Sequence, residues 1–121
     1  MRPLAIHHVS VTVGDVDAAR RFYVDLLGMA ERSDRPQFGF AGAWLDAGGQ
    51  QLHLIAGDPP GDARHHFAVL VDDLAAVVAE LRAAGVRVGD PRPVGSSLQT
   101  FVSDPDGNLV ELHQAASGVV G

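Results

Sequence analysis

The chain repeats itself. When His8 is laid on His66, Val11 falls on Val69, Val13 on Val71, Asp15 on Asp73, Asp46 on Asp104, Gly49 on Gly107 and Leu54 on Leu112, and His53 falls on Glu111. One register running through both halves constrains the architecture before any element is assigned. Each half must follow the same plan, and residues far apart in sequence become structural equivalents. With 121 residues the chain has room for these two units and for no further domain of ordinary size. The expected division is a single domain made of one module over 1–57, a polar, proline-containing linker over 58–64, and a second module over 65–121.

Both halves read as βαβββ. From Ala5 to Val13 apolar and polar residues alternate, with Val9, Val11 and Val13 on one face and Ile6, His8, Ser10 and Thr12 on the other. Asp15 then stands as an N-cap, and Val16, Ala19, Phe22, Tyr23, Leu26 and Leu27 recur at helical spacing up to Gly28. Strands are predicted over Met29 to Ser33, Phe38 to Asp46 and Gln50 to Ala56. In the second half, His66 to Val71 is a strand, and Asp72 or Asp73 caps a helix carrying Leu74, Val77, Val78 and Leu81 and closed by Gly85. Val86 to Val88, Leu98 to Ser103 and Asn108 to His113 supply the remaining strands, with a long loop from Gly89 to Ser97.

Composition excludes several chemistries. The absence of cysteine removes disulfides, thiolate nucleophiles and Cys-type zinc sites, and the absence of lysine removes Schiff-base chemistry and a Walker-type phosphate loop. All nine basic residues are arginine and are set against 15 acidic ones, and the resulting charge of −6 argues against a nucleic-acid partner. No apolar run is long enough for a membrane span, and no signal-peptide core is present, so a cytoplasmic protein without a membrane partner is expected.

By strand alternation, His8 and His66 face away from the valine faces that pack on the helices. His53 and Glu111 occupy equivalent positions on the last strand of each module. Three imidazoles and one carboxylate suit one divalent transition metal (Zn²⁺, Ni²⁺, Fe²⁺, Mn²⁺ or Co²⁺) and suit Ca²⁺ or Mg²⁺ poorly. His7 and His65 should point to the opposite face. His113 shares a face with Glu111, as an outer partner of it or as a terminal-strand histidine. Ser10, Thr12, Gln51 and Thr100 are polar candidates for contact with a small-molecule substrate. Phe38 and Trp44, with Phe40 and Phe101, are candidate walls, and the helix arginines Arg20, Arg21 and Arg82 read as a solvated face.

Four segments carry a resemblance: His8-Val-Ser-Val-Thr-Val-Gly-Asp15, Arg21-Phe-Tyr-Val-Asp-Leu-Leu-Gly28, His66-Phe-Ala-Val-Leu-Val-Asp-Asp73 and Asp104-Pro-Asp-Gly-Asn-Leu-Val-Glu111. Together they resemble the vicinal oxygen chelate superfamily of glyoxalases, epimerases, extradiol dioxygenases and bleomycin- or fosfomycin-resistance proteins. The resemblance spans essentially the whole chain. It implies an α+β glyoxalase-like fold, in which two βαβββ modules form a curved mixed sheet around a metal cleft, and a homodimer. By motif position His8, His66 and Glu111 match the metal ligands of that superfamily. His53 falls where glyoxalases carry glutamate and the epimerases can carry glutamine, so Glu111 is the one ligand carboxylate left here to act as a catalytic base.

The activity this implies is that of a metal-dependent lyase or isomerase that chelates an oxygen-bearing substrate and moves a proton through Glu111. Two alternatives come with the same superfamily. His8, His66 and Glu111 form the ligand type of an Fe²⁺ extradiol dioxygenase, and an aromatic cleft suits a non-catalytic protein that sequesters a small molecule, as antibiotic-resistance members do. The fosfomycin-type transferases share the His, His, Glu spacing and a similar Gly42-Ala-Trp44 segment. They bind an anionic phosphonate through basic groups, whereas this chain lacks lysine and has no arginine after Arg92.

Overall fold

A computed structural model describes residues 1–59 and 65–116. Most of the expected linker and the last five positions of the chain lie outside the described residues. The described residues make two compact units, one holding residues 1–59 with Pro105–Gly107 and the other holding the remainder of 65–116.

The first unit runs β1 (His8–Val13), α1 (Val16–Arg20) continued by a π-helical turn (Arg21–Leu26), β2 (Ala30–Glu31), β3 (Gly42–Ala47) and β4 (Gln50–Ala56). Its four strands form one mixed sheet in the order β1-β4-β3-β2, with β1 parallel to β4 and the other pairs antiparallel. Val11, Val13, Leu45, Leu52 and Leu54 are buried on one face together with Ala19, Phe22 and Tyr23. The other face carries His8, Ser10 and Thr12 of β1 beside Gln51, His53 and Ile55 of β4.

The helix departs from the expected continuous α-helix. The Asp15 carboxylate accepts the Ala18 N–H at 3.1 Å, as an N-cap should. One turn later the backbone widens, and Leu27 N–H reaches Phe22 O at 3.0 Å, a π-type bond. The wider turn lets the consecutive residues Phe22 and Tyr23 both be buried, at 5% and 0% exposure, with their rings edge to face at 4.9 Å. Gly28, at φ 80°, takes the left-handed conformation that ends the segment.

The second unit runs β5 (His66–Leu70), α2 (Leu74–Ala83), β6 (Arg92–Val94), β7 (Ser97–Ser103) and β8 (Leu109–Gln114), with sheet order β5-β8-β7-β6 and β5 parallel to β8. The first and second units therefore share element order, strand order and strand direction. Asp73 caps α2 by accepting the Ala76 N–H, and Leu74, Val78 and Leu81 form its buried stripe.

Three strand expectations change. The segment expected over 29–33 shrinks to Ala30–Glu31, and the one expected from Phe38 begins only at Gly42. Val86 to Val88 is not a strand. Arg82 Nη2 donates to Val88 O at 2.9 Å, so the segment is tied back to α2 instead of pairing in the sheet, and of its residues Val88 is buried. The strand in that region is β6, inside the expected long loop. It pairs with β7 across a two-residue turn in which Gly95 has φ 57°.

Candidate functional site

In the first unit the candidates converge by register. Ser10 stands opposite His53 on β1, and Trp44 stands opposite it on β3. The His53 ring lies between two others, 4.0 Å from His8 and 4.5 Å from Trp44 between centroids, with interplanar angles of 11° on both sides. Three flat rings thus stack across three strands. Nε2 of His53 donates to Gln51 Oε1 at 2.9 Å, which leaves Nδ1 as the nitrogen carrying a lone pair. Burial at 8% exposure lowers the His53 pKa, and the positive charges that His8, His7, Arg32 and Arg35 can carry lower it further. The neutral imidazole so favoured is the form that ligates a metal.

His7 was expected on the opposite face, yet its Nδ1 lies 2.9 Å from His8 Nδ1 and the two rings meet edge to face at 5.2 Å. His7 precedes the first paired residue of β1, so the strand's alternation does not govern it.

In the second unit, Ala68 pairs with Glu111 and Leu70 with His113 across β5 and β8, and Phe101 of β7 stands on the other side of Glu111. One carboxylate joins two imidazoles. His66 Nε2 donates to Glu111 Oε1 at 3.2 Å and His113 Nδ1 donates to Glu111 Oε2 at 3.0 Å, while the Phe101 ring lies edge-on to His66 at 5.4 Å. Both carboxylate oxygens are thereby oriented, and the Glu111 side chain is only 14% exposed.

Thr100 does not share that surface. It pairs with Leu112, is 4% exposed and donates its hydroxyl to Gly89 O at 2.8 Å, so it lies on the core face and its hydroxyl is spent on the 86–89 segment. The expectation that Thr100 contacts substrate is corrected accordingly. Among the described residues no three His, Cys, Asp or Glu side chains form a group that could hold a metal ion. What each unit presents is a pair: His8 with His53 in the first, and His66 with Glu111 in the second. In chemical type, imidazole nitrogen and carboxylate oxygen, both pairs fit a divalent transition metal.

Arg20, expected on a solvated face, is half-buried and fully engaged. Its Nε donates to both oxygens of Glu31, its Nη1 to Asp17 at 2.8 Å and its Nη2 to Gly42 O at 3.4 Å. Gly42 has no room for a side chain, because a Cβ there would collide with the Leu54 carbonyl oxygen and approach the Arg35 guanidinium to 2.9 Å.

Two parallel-closed βαβββ units with these paired donors define a recognised class. The profile of the Glyoxalase/Bleomycin resistance protein/Dioxygenase superfamily matches residues 5–112, and the chain belongs to that superfamily. It is 32% identical to the lactoylglutathione lyase of Haemophilus influenzae, over 90% of this chain and 91% of that one. Among solved structures, it matches a glyoxalase family protein of Enterococcus faecalis with a TM-score of 0.75 at 27% identity, covering 90% of this chain and 96% of the other. It also matches TnmS3, an antibiotic binding protein from Streptomyces sp. CB03234, with a TM-score of 0.79 at 28% identity, covering 96% and 99%. No helix among the described residues is long and apolar enough to cross a membrane.

Proposed function

We propose that the protein is a metal-dependent lyase or isomerase of the glyoxalase type, acting on a small substrate with adjacent oxygen atoms. The observation that carries this reading is the Glu111 carboxylate held between two imidazoles, at 3.2 Å from His66 and 3.0 Å from His113. His8, His53, His66 and Glu111 are the residues proposed to hold one divalent transition metal, which supplies Lewis-acid polarisation of a substrate oxygen when bound. Glu111 is the base: it removes a proton from carbon next to a carbonyl and returns it to the neighbouring carbon. His113 keeps the carboxylate turned and its charge stabilised. The neutral state of His53 leaves a lone pair available, and Ser10 and Gln51 supply polar contacts on the same face of the first unit. Thr12, Phe38 and Trp44 complete the proposed substrate contacts. The reaction is assigned to the cytoplasm and to a homodimer.

The test begins with metal content by mass spectrometry on untagged protein, for wild type, His66→Ala and Glu111→Ala. About one transition-metal ion per chain in wild type, lost in both variants, is expected. Solvent-deuterium exchange into a panel of α-hydroxycarbonyl, hemithioacetal and acyl-CoA compounds then reports proton transfer, which should vanish in Glu111→Gln. Equal metal content in all three proteins would sink the ligand set. Oxygen uptake with catechols by the Fe²⁺-loaded protein, without deuterium exchange, would replace the lyase by a dioxygenase.

A second reading is favoured by one specific observation. Phe38 and Phe40, at 45% and 50% exposure, leave two stacked rings open in the first unit, as a protein that sequesters a flat ligand would. Tight ligand binding that is indifferent to chelator, with no turnover, selects it.

A further inference from the structure

The first unit contains a cavity of about 770 Å³ that the metal-donor residues do not line. Its ionised lining groups are Asp15, Asp17, Arg20 and Arg35, and Phe38 and Phe40 supply its rings. Three of the four charges are already spoken for. Arg20 bonds Asp17 and Glu31, and Asp15 caps the helix through the Ala18 N–H. Arg35 differs: among the described residues it meets no carboxylate, and its one hydrogen bond goes from Nη2 to Phe40 O at 2.9 Å. Its guanidinium carbon lies 5.0 Å from the Phe38 ring centroid and 5.4 Å from that of Phe40, so the cation is seated on two aromatic faces. A guanidinium has five N–H donors in a planar fork, and only one is used here.

The aromatic surface continues from the cavity to the candidate site. The Phe40 and Phe38 rings stack at 5.4 Å and 19°, Phe38 meets Trp44 at 6.0 Å, and Trp44 stacks on His53. A cation with free donors therefore stands at one end of a strip of rings, and the metal-donor pair His8 and His53 stands at the other.

We infer that Arg35 recognises the carboxylate of a small organic acid whose flat, aromatic body lies along Phe38 and Phe40. The fork of Arg35 takes the carboxylate through two N–H donors, and the rings take the apolar body. Arg35 and Phe40 thus become specificity-determining residues of the first unit. The inference gives a substrate class to the function proposed above and rests on it for the reaction only, because the binding itself needs no metal.

Trp44 is the single tryptophan of the chain and reports on this strip by fluorescence. The full chain, with chelator present, is titrated with phenylacetate and with its neutral counterpart phenylacetamide, for wild type, Arg35→Gln, Arg35→Lys and Phe40→Ala. Saturable binding of phenylacetate is expected, with phenylacetamide weaker by about tenfold or more, the factor for losing a charge-assisted hydrogen bond. Arg35→Gln should abolish the preference for the acid, Arg35→Lys should restore part of it, and Phe40→Ala should weaken both ligands alike. Equal affinity for acid and amide in the wild type overturns the inference without recourse to any variant. So does a dimer, by light scattering, that excludes phenylacetate and dissociates in Phe40→Ala, because the rings would then be covered by a second copy. Acid-selective binding in a chain that takes up no metal would leave this inference standing and remove the lyase.

Discussion

Arg32 of the first unit is held between two carboxylates. Its Nε and Nη2 donate to the two oxygens of Asp34 and its Nη1 to Asp46, each at 2.9 Å, and these bonds raise its pKa far above the ordinary arginine range. In return the bond from Arg32 holds the Asp34 carboxyl below its ordinary value of 3.8. A carboxylate depressed in the folded state contributes stability that is present above the unfolded pKa and lost as pH falls through the folded one. Asp34→Asn is therefore expected to lower Tm at neutral pH, by little since the pair is solvent-exposed, and the wild-type and variant Tm curves should converge in acid. A constant difference across the pH range would mean that Asp34 acts through something other than its charge. At this scale the sequence was readable where the pleat decides, so His8, Ser10 and His53 share a face as alternation requires. It was unreadable where the pleat ends or where an inward polar residue imitates a surface one. His7 sits ahead of the pleated segment, and Thr100 lies on the core face opposite Leu112, its hydroxyl satisfied by the Gly89 carbonyl.

Elements with strong end signals were legible. Asp15, Asp73, Gly28 and Gly85 each do the capping or closing that their residue types suggest, with Asp73 and not Asp72 as the second N-cap. Asp73→Ala should cost about 1 kcal/mol, read as a shift of the urea midpoint at unchanged slope, because the Ala76 N–H loses its acceptor. A change below the error of the measurement would assign that N–H to water. Two elements were illegible for opposite reasons. Val86 to Val88 alternates two β-branched residues about an arginine and so imitates a strand, although Val88 is buried and its carbonyl bonds Arg82 instead of a neighbouring strand. β6 has every residue exposed, so no alternation marks it, and its only signal was the Gly95-Ser96 pair that makes the turn. The π-helical turn leaves a periodic pattern unchanged enough to pass for α-helix, and only the joint burial of Phe22 and Tyr23 shows that the backbone had to widen there.

For the molecule as a whole, the repeat and the composition carried most of the architecture, since both halves obey one plan. What a repeat cannot carry is the use made of each half. The equivalent positions hold His53 in one unit, stacked between His8 and Trp44, and Glu111 in the other, hydrogen-bonded by His66 and His113. If the proposed donors bind metal, linkage requires that metal stabilise the fold. Free metal at one hundred times its Kd should add about 2.7 kcal/mol to the unfolding free energy, chelator should remove it, and His66→Ala should abolish the difference. Thermal melts with and without chelator check this, and an unchanged Tm in both proteins would contradict it.

The parallel pairing that closes each sheet has a consequence for how the molecule comes into being. Helices and two-residue hairpins form from neighbours, but β1 must find β4 and β5 must find β8 across nearly the whole length of their units, with His8 opposite Gln51 and His66 opposite Leu109 at the same separation. Such long loops close late, after local structure has formed. His8 lies on β1 with His53 on β4, and His66 lies on β5 with Glu111 on β8, so each proposed donor pair straddles the parallel pairing that joins the two ends of its unit. A chain whose sheet is unclosed at that pairing therefore holds neither pair together.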